Sequence, residues 1–168
     1  MPAPTINTLD LLRVVLDKLS KIARNSYEIE RRCRKDKWAP VGTEIVNEIK
    51  AVNTRLVDVS NELNLIKSLI EKTEITIIGK VVGGESLKET SSAIGHIQRA
   101  IYDLGQFIQM VESFQLTKEG KVRMSAPPER FPRENLMKLL EDDNKNLRNA
   151  EKAVERVYIR IRRISKED

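Results

Sequence analysis

Only 4% of this 168-residue chain is aromatic, and it has one tryptophan, one histidine and one cysteine. So few rings argue against a sheet sandwich or an α/β enzyme core, both of which draw on aromatic and β-branched residues. The lone Cys33 can close no disulfide within the chain, and structural zinc needs several thiolates or imidazoles. His96 has Ala93 at the offset where dimetal carboxylate bundles carry glutamate, and spacing places no Ser or Cys beside it. Gly83 and Gly84 precede a helical pattern but lack the spaced glycines and lysine of a phosphate cradle. Catalytic, metal and cofactor roles are therefore all left without parts, and the chain reads as a non-enzyme. No run approaches the roughly twenty apolar residues that span a bilayer. The stretch from Met1 to Leu12 carries Asp10 and no continuous apolar core, so it does not read as a secretory leader. Together with the single thiol, this gives the expectation of a reducing, cytoplasmic setting.

What the chain has in abundance is charge, 33% of residues, and apolar residues recurring at alternating steps of three and four. That repeat belongs to helices that bury a seam against other helices. Its cleanest run is Ile45, Ile49, Val52, Leu56, Val59, Leu63, Ile66 and Ile70, aliphatic throughout. The expectation is an all-α, antiparallel four-helix bundle with coiled-coil-like seams. It forms a single domain over 1–168, with helices near 7–37, 43–72, 86–114 and 132–166.

The first helix reads from an Asn7 cap, with seam Leu9, Leu12, Leu16, Leu19, Ala23 and Ser26 and with Val15, Ile22 and Ile29 flanking. Trp38, Ala39 and Pro40 end it, and the short connection turns the second helix back alongside. The third opens on a Ser86–Glu89 capping box. Its seam is Leu87, Ile94, Ile97, Ile101, Leu104, Ile108 and Val111, with Ala93, Ala100, Phe107 and Phe114 beside it. Gly95 and Gly105 inside this helix cost about 1 kcal/mol each against alanine, which close helix approach would explain. The fourth starts at Pro132 and runs Leu136, Leu140, Asp143, Leu147, Ala150, Val154, Val157, Ile161 and Ile164. Asp143 is the exception in that row, and partial exposure at the bundle surface is its expected state.

Two connections carry patterns of their own. Ile75, Ile77, Ile78, Val81 and Val82 around Gly79 and Lys80 suit a short β-hairpin, a candidate partner or lipid contact. Gln115–Thr117 and Lys121–Met124 around Gly120 suit a second. If the bundle runs up, down, up, down, segments 31–37 and 118–134 share one end, with net charges of +4 and +2 against +5 for the whole chain. Arg31, Arg32, Arg34, Lys35, Lys37, Lys121, Arg123, Arg130 and Arg133 are then candidate polyanion contacts, with Trp38 or Phe131 available for stacking. Cations at helix C-termini serve equally well as ordinary helix stabilisation. Lys152, Arg156, Arg160 and Arg163 form a second stripe, with Glu151 and Glu155 placed for ion pairs within the helix.

These features favour a non-catalytic bundle acting as a structural or interaction subunit of a larger assembly, through a protein partner or self-association. The alternatives are a small RNA- or DNA-binding protein using the basic pole, and a membrane-active bundle inserting the 75–82 segment.

Overall fold

A computed structural model describes residues 2–36, 39–73, 80–117 and 133–167. They form four long α-helices: α1 (Pro2–Lys35), α2 (Thr43–Thr73), α3 (Lys80–Thr117) and α4 (Arg133–Glu167). A 3-10 turn over Ala39–Val41 joins the first two. At 31 to 38 residues each, the helices are on the order of 50 Å long. No strand occurs among the described residues.

Each helix packs on two neighbours in a closed ring, α1 on α2 and α4, and α3 on α2 and α4. Cross-helix bonds give the directions. Lys18 of α1 meets Glu62 of α2 at 3.1 Å, while the later Arg32 meets the earlier Glu44 at 3.2 Å. Between α3 and α4, Glu85 pairs with Arg160 and His96 with Asn146. Between α1 and α4, Ser20 reaches Glu151 and Arg34 reaches Glu141. Residue numbers fall on one helix as they rise on the next, so the bundle is antiparallel, up, down, up, down.

The first reversal is compact. The Asp36 amide donates to Arg32 O at 3.0 Å, Ala39 N to Asp36 O at 3.1 Å and Gly42 N to Ala39 O at 2.9 Å. Val46 N then donates to Gly42 O at 3.2 Å, which makes Gly42 the N-cap of α2. A side chain at Gly42 would stand 3.2 Å from Ala39 O, so the turn is tight enough to favour glycine.

All eight aliphatic seam positions of α2, from Ile45 to Ile70, are buried. The α4 seam is buried from Leu136 to Ile161, and the side chain of Ile164 lies outside the described residues. In α1 and α3 the inward row differs from the expected one. Val15, Ile22 and Ile29 are core, while Leu9, Leu16 and Ala23 sit at its margin. Likewise Ala93, Ala100 and Phe107 point to the centre, and Leu87, Ile101 and Ile108 flank it.

Several boundaries also shift. α1 begins at Pro2, so Asn7 lies within the helix and not at its start. α3 starts at Lys80, six residues before the expected cap. Ser86 is a buried residue inside it, its carbonyl accepting from Thr90 Oγ1 at 2.7 Å. Lys80, Val81 and Val82 are therefore helical and not the second arm of a hairpin, and Gln115–Thr117 extend the same helix at its other end. Continuing a helix satisfies each further amide within the chain, whereas a two-stranded hairpin alone is marginal in water. Ile75, Ile77 and Ile78, and Lys121–Met124 of the second hairpin, lie outside the described residues.

Candidate functional site

Among the described residues, polar chemistry gathers in a buried layer between α1 and α4, at the pole where α1 ends and α4 begins, in the grooves flanking α4, and in a groove between α1 and α2 that includes Lys18, Lys21, Arg55 and Asp58.

The buried layer departs furthest from expectation. Asp143 has 0% exposure, so it is not a surface lapse in the seam. The Ser26 hydroxyl donates to its Oδ2, while Oδ1 has no partner among the described residues. Burial pushes the carboxyl up to about 8 against the Ser26 bond, and nearby Asp103 and Glu30 raise it further. Asp143 is consequently a neutral acid at neutral pH. Next to it, Asn144 Nδ2 donates to Glu30 Oε1 at 2.6 Å and to Leu140 O at 3.0 Å. Arg34 closes the layer from outside, with Nε 3.0 Å from Glu30 Oε2 and Nη2 2.9 Å from Glu141 Oε2. This chain of bonds fixes α4 against α1 in one register. Cys33 is buried beneath the same end, and loss of water pushes its thiol up to about 11, which makes it a poor nucleophile and ligand.

The fold does bring part of the basic pole together. Arg133, at the start of α4, donates Nη2 to Cys33 O at 3.3 Å and to Arg34 O at 3.4 Å, filling the open carbonyls at the α1 terminus. Its neighbours are equally occupied. Arg31 binds Glu28 at 2.7 Å, Arg32 reaches Glu44 and Glu48, and Arg34 is held by Glu30 and Glu141. Among the described residues, the arginines expected to meet phosphate, Arg31, Arg32, Arg34 and Arg133, are instead engaged by carboxylates or carbonyls, most of them on other helices, although Arg32 Nε and Arg133 Nε are buried without a partner. Lys35 is exposed and makes no ion pair among the described residues. Lys37, Lys121, Arg123 and Arg130 lie outside the described residues, as do Trp38 and Phe131, and the side chains of Val81 and Val82.

Two members of the α4 stripe, Arg156 and Arg160, are also paired, but across the bundle. Arg156 and Arg160 both bind Glu89 of α3, Arg160 at 2.8 Å, and Arg160 adds Glu85 at 3.2 Å. Glu89 is raised by burial, yet the two guanidiniums outweigh that and hold it below the usual range. The glutamate that would have completed a capping box thus joins α3 to α4.

Two grooves flanking α4 were not evident from periodicity. One, of about 720 Å³, lies between α1 and α4 and includes Ala23, Tyr27, Asn144 and Arg148. The other, of about 570 Å³, lies between α3 and α4 and includes Gly95, Tyr102, Asp103, Asp142 and Lys145. Tyr27 is 53% exposed and Tyr102 is 66% exposed. At Gly95 and Gly105 no neighbouring atom stands within 4 Å of a side-chain position, so close helix approach does not explain these glycines. Buried Ala93 and Ala100 in α3 and Ala150 and Ala153 in α4 supply small residues to the core. His96 is half-buried beside Asn146, which borders the second groove. Asn146 Nδ2 donates to Asp142 O at 3.0 Å, and its Oδ1 lies 2.9 Å from His96 Nδ1, which also has Arg99 Nη1 at 3.3 Å, so the ring tautomer sets which of the two it bonds. The contact with Asn146 marks the height of α4 against α3. A signal for the groove was present in the spacing, because Gly95 and Tyr102 are seven residues apart on a face with no apolar duty.

No group of three or more His, Cys, Asp or Glu among the described residues is arranged to hold a metal ion. No described helix is long and apolar enough to cross a membrane. The protein is an all-α, antiparallel four-helix bundle. No family model, curated protein or solved structure matches the chain.

Proposed function

We propose that this protein is a non-catalytic bundle that works as a structural or interaction subunit, engaging a protein partner or a second copy through its interhelical grooves. The supporting observation is that two of its three tyrosines stand more than half exposed, one in each groove flanking α4. Tyrosine offers a large rigid ring with a polar tip, and it is enriched where proteins meet. A bundle with no outside contact to make gains nothing from leaving these rings in water. The polyanion reading takes second place because Arg31, Arg32, Arg34 and Arg133 are already occupied.

Sedimentation velocity across a wide concentration range, together with affinity purification of the tagged protein from its native cells, tests this reading. The expected result is concentration-dependent mass or a stoichiometric protein partner, lost when Tyr27 and Tyr102 are both changed to alanine. A strict monomer that copurifies with no protein overturns it.

A further inference from the structure

We propose that the α3/α4 groove pairs two copies of this chain about a two-fold axis, with Tyr102 of each copy seated over Gly95 of the other. This rests on the interaction-subunit reading and names its partner and face.

The groove holds a knob and a hole on one helix. Tyr102 is 66% exposed, and the position of a Gly95 side chain is open to beyond 4 Å. Their spacing of seven residues puts them on one face about two turns, roughly 10 Å, apart. When α3 of one copy lies antiparallel on α3 of another, a two-fold midway between these positions puts each ring over the other copy's glycine. Isologous contacts require this reciprocity.

An independent pair of residues shares the same axis. Asp142 and Lys145 of α4 border the groove three residues apart and form no ion pair with each other. The same two-fold would set Lys145 of one copy against Asp142 of the other only if their midpoint lay level with that of Gly95 and Tyr102. It does. Counting from the His96–Asn146 contact, the α3 midpoint lies as many residues beyond His96 as the α4 midpoint lies before Asn146. Antiparallel helices of equal rise therefore carry both midpoints at one height.

The charges fit a second copy better than a polyanion. Arg99 and Lys145 balance Asp103 and Asp142 in the groove, so it has no net charge to attract phosphate. Within one chain the two carboxylates face each other without an ion-paired cation. Burial raises Asp103 above the usual range, and Asp142 adds to it. A lysine from the second copy would relieve that repulsion.

Sedimentation equilibrium of the full chain and its variants tests the pairing. The wild type should form dimers. Tyr102→Ala should raise the dissociation constant about thirtyfold, typical for truncating a central anchor. Gly95→Leu should abolish pairing while leaving the helical circular dichroism intact. Gly105→Leu, equally open but outside the groove, should leave pairing unchanged. Asp142→Lys and Lys145→Asp should each weaken dimers, and the double swap should restore them, which loss of folding could not mimic. A wild type that is monomeric at every concentration overturns this inference, and the broader reading then stands or falls on copurification of another protein. Dimers indifferent to Gly95→Leu and Tyr102→Ala overturn the face alone, leaving self-association in place.

Discussion

Asp143 sits where the seam of α4 calls for leucine, fully buried, with one hydroxyl for a partner. Its folded-state pKa of about 8 lies above the ordinary aspartate value of 3.8, so the folded protein holds a proton that the unfolded chain has lost. The stabilising contribution is therefore complete below the ordinary aspartate range and disappears as pH rises through about 8. In that window, stability should fall by up to about 1.4 kcal/mol per pH unit from this one group. Urea unfolding at a series of pH values checks the slope, and Asp143→Asn should flatten it because the amide has no proton to lose. A wild-type slope unchanged by Asp143→Asn would show that the carboxyl ionises freely in the fold. Nothing in the spacing reveals this state. The seam position of Asp143 was legible, but its solvent access depends on Ser26, Glu30 and Asp103, which lie on two other helices.

At the scale of the element, α2 was the most legible part of the chain because each seam residue is aliphatic and no competing apolar row runs beside it. Leu56→Ala, at 0% exposure, should cost about 2–5 kcal/mol of stability. Leu65→Ala on the same helix, at 54% exposure, should stay within about 0.5 kcal/mol. Denaturant midpoints of the two variants decide this, and equal effects would mean that the outer face of α2 is covered in solution. α1 and α3 were harder to orient because each carries two adjacent apolar rows. Leu9, Leu16 and Ala23 run beside Val15, Ile22 and Ile29, and the period alone does not say which row is central; the neighbouring helices do. The start of α3 was misplaced for a related reason. A serine with a glutamate three residues on makes a capping box only when the chain has not already become helical upstream. Here Glu89 has a stronger use for its charge in Arg156 and Arg160.

For the whole molecule, the grouping of basic residues at one pole was correctly anticipated as far as Arg31, Arg32, Arg34 and Arg133 are concerned. Their neutralisation was not, since Glu44, Glu48 and Glu141 are distant in sequence and meet them only after the helices reverse. Replacing Arg32 and Arg34 with glutamine should lower thermal stability and leave RNA or DNA retention at low salt unchanged. A filter-binding salt titration measures the second effect. A log–log slope that becomes shallower by about one for each arginine removed would restore the polyanion reading. The ring of contacts has one more consequence. Like α2, α4 touches both α1 and α3, and it carries Asp143, Asn144 and Arg133 to their partners on α1. A chain emerging from the ribosome must wait for α4 before the α4-facing sides of α1 and α3 are covered and the ring closes. Until then it presents an open apolar trough, the form of this protein most exposed to aggregation and to capture by chaperones.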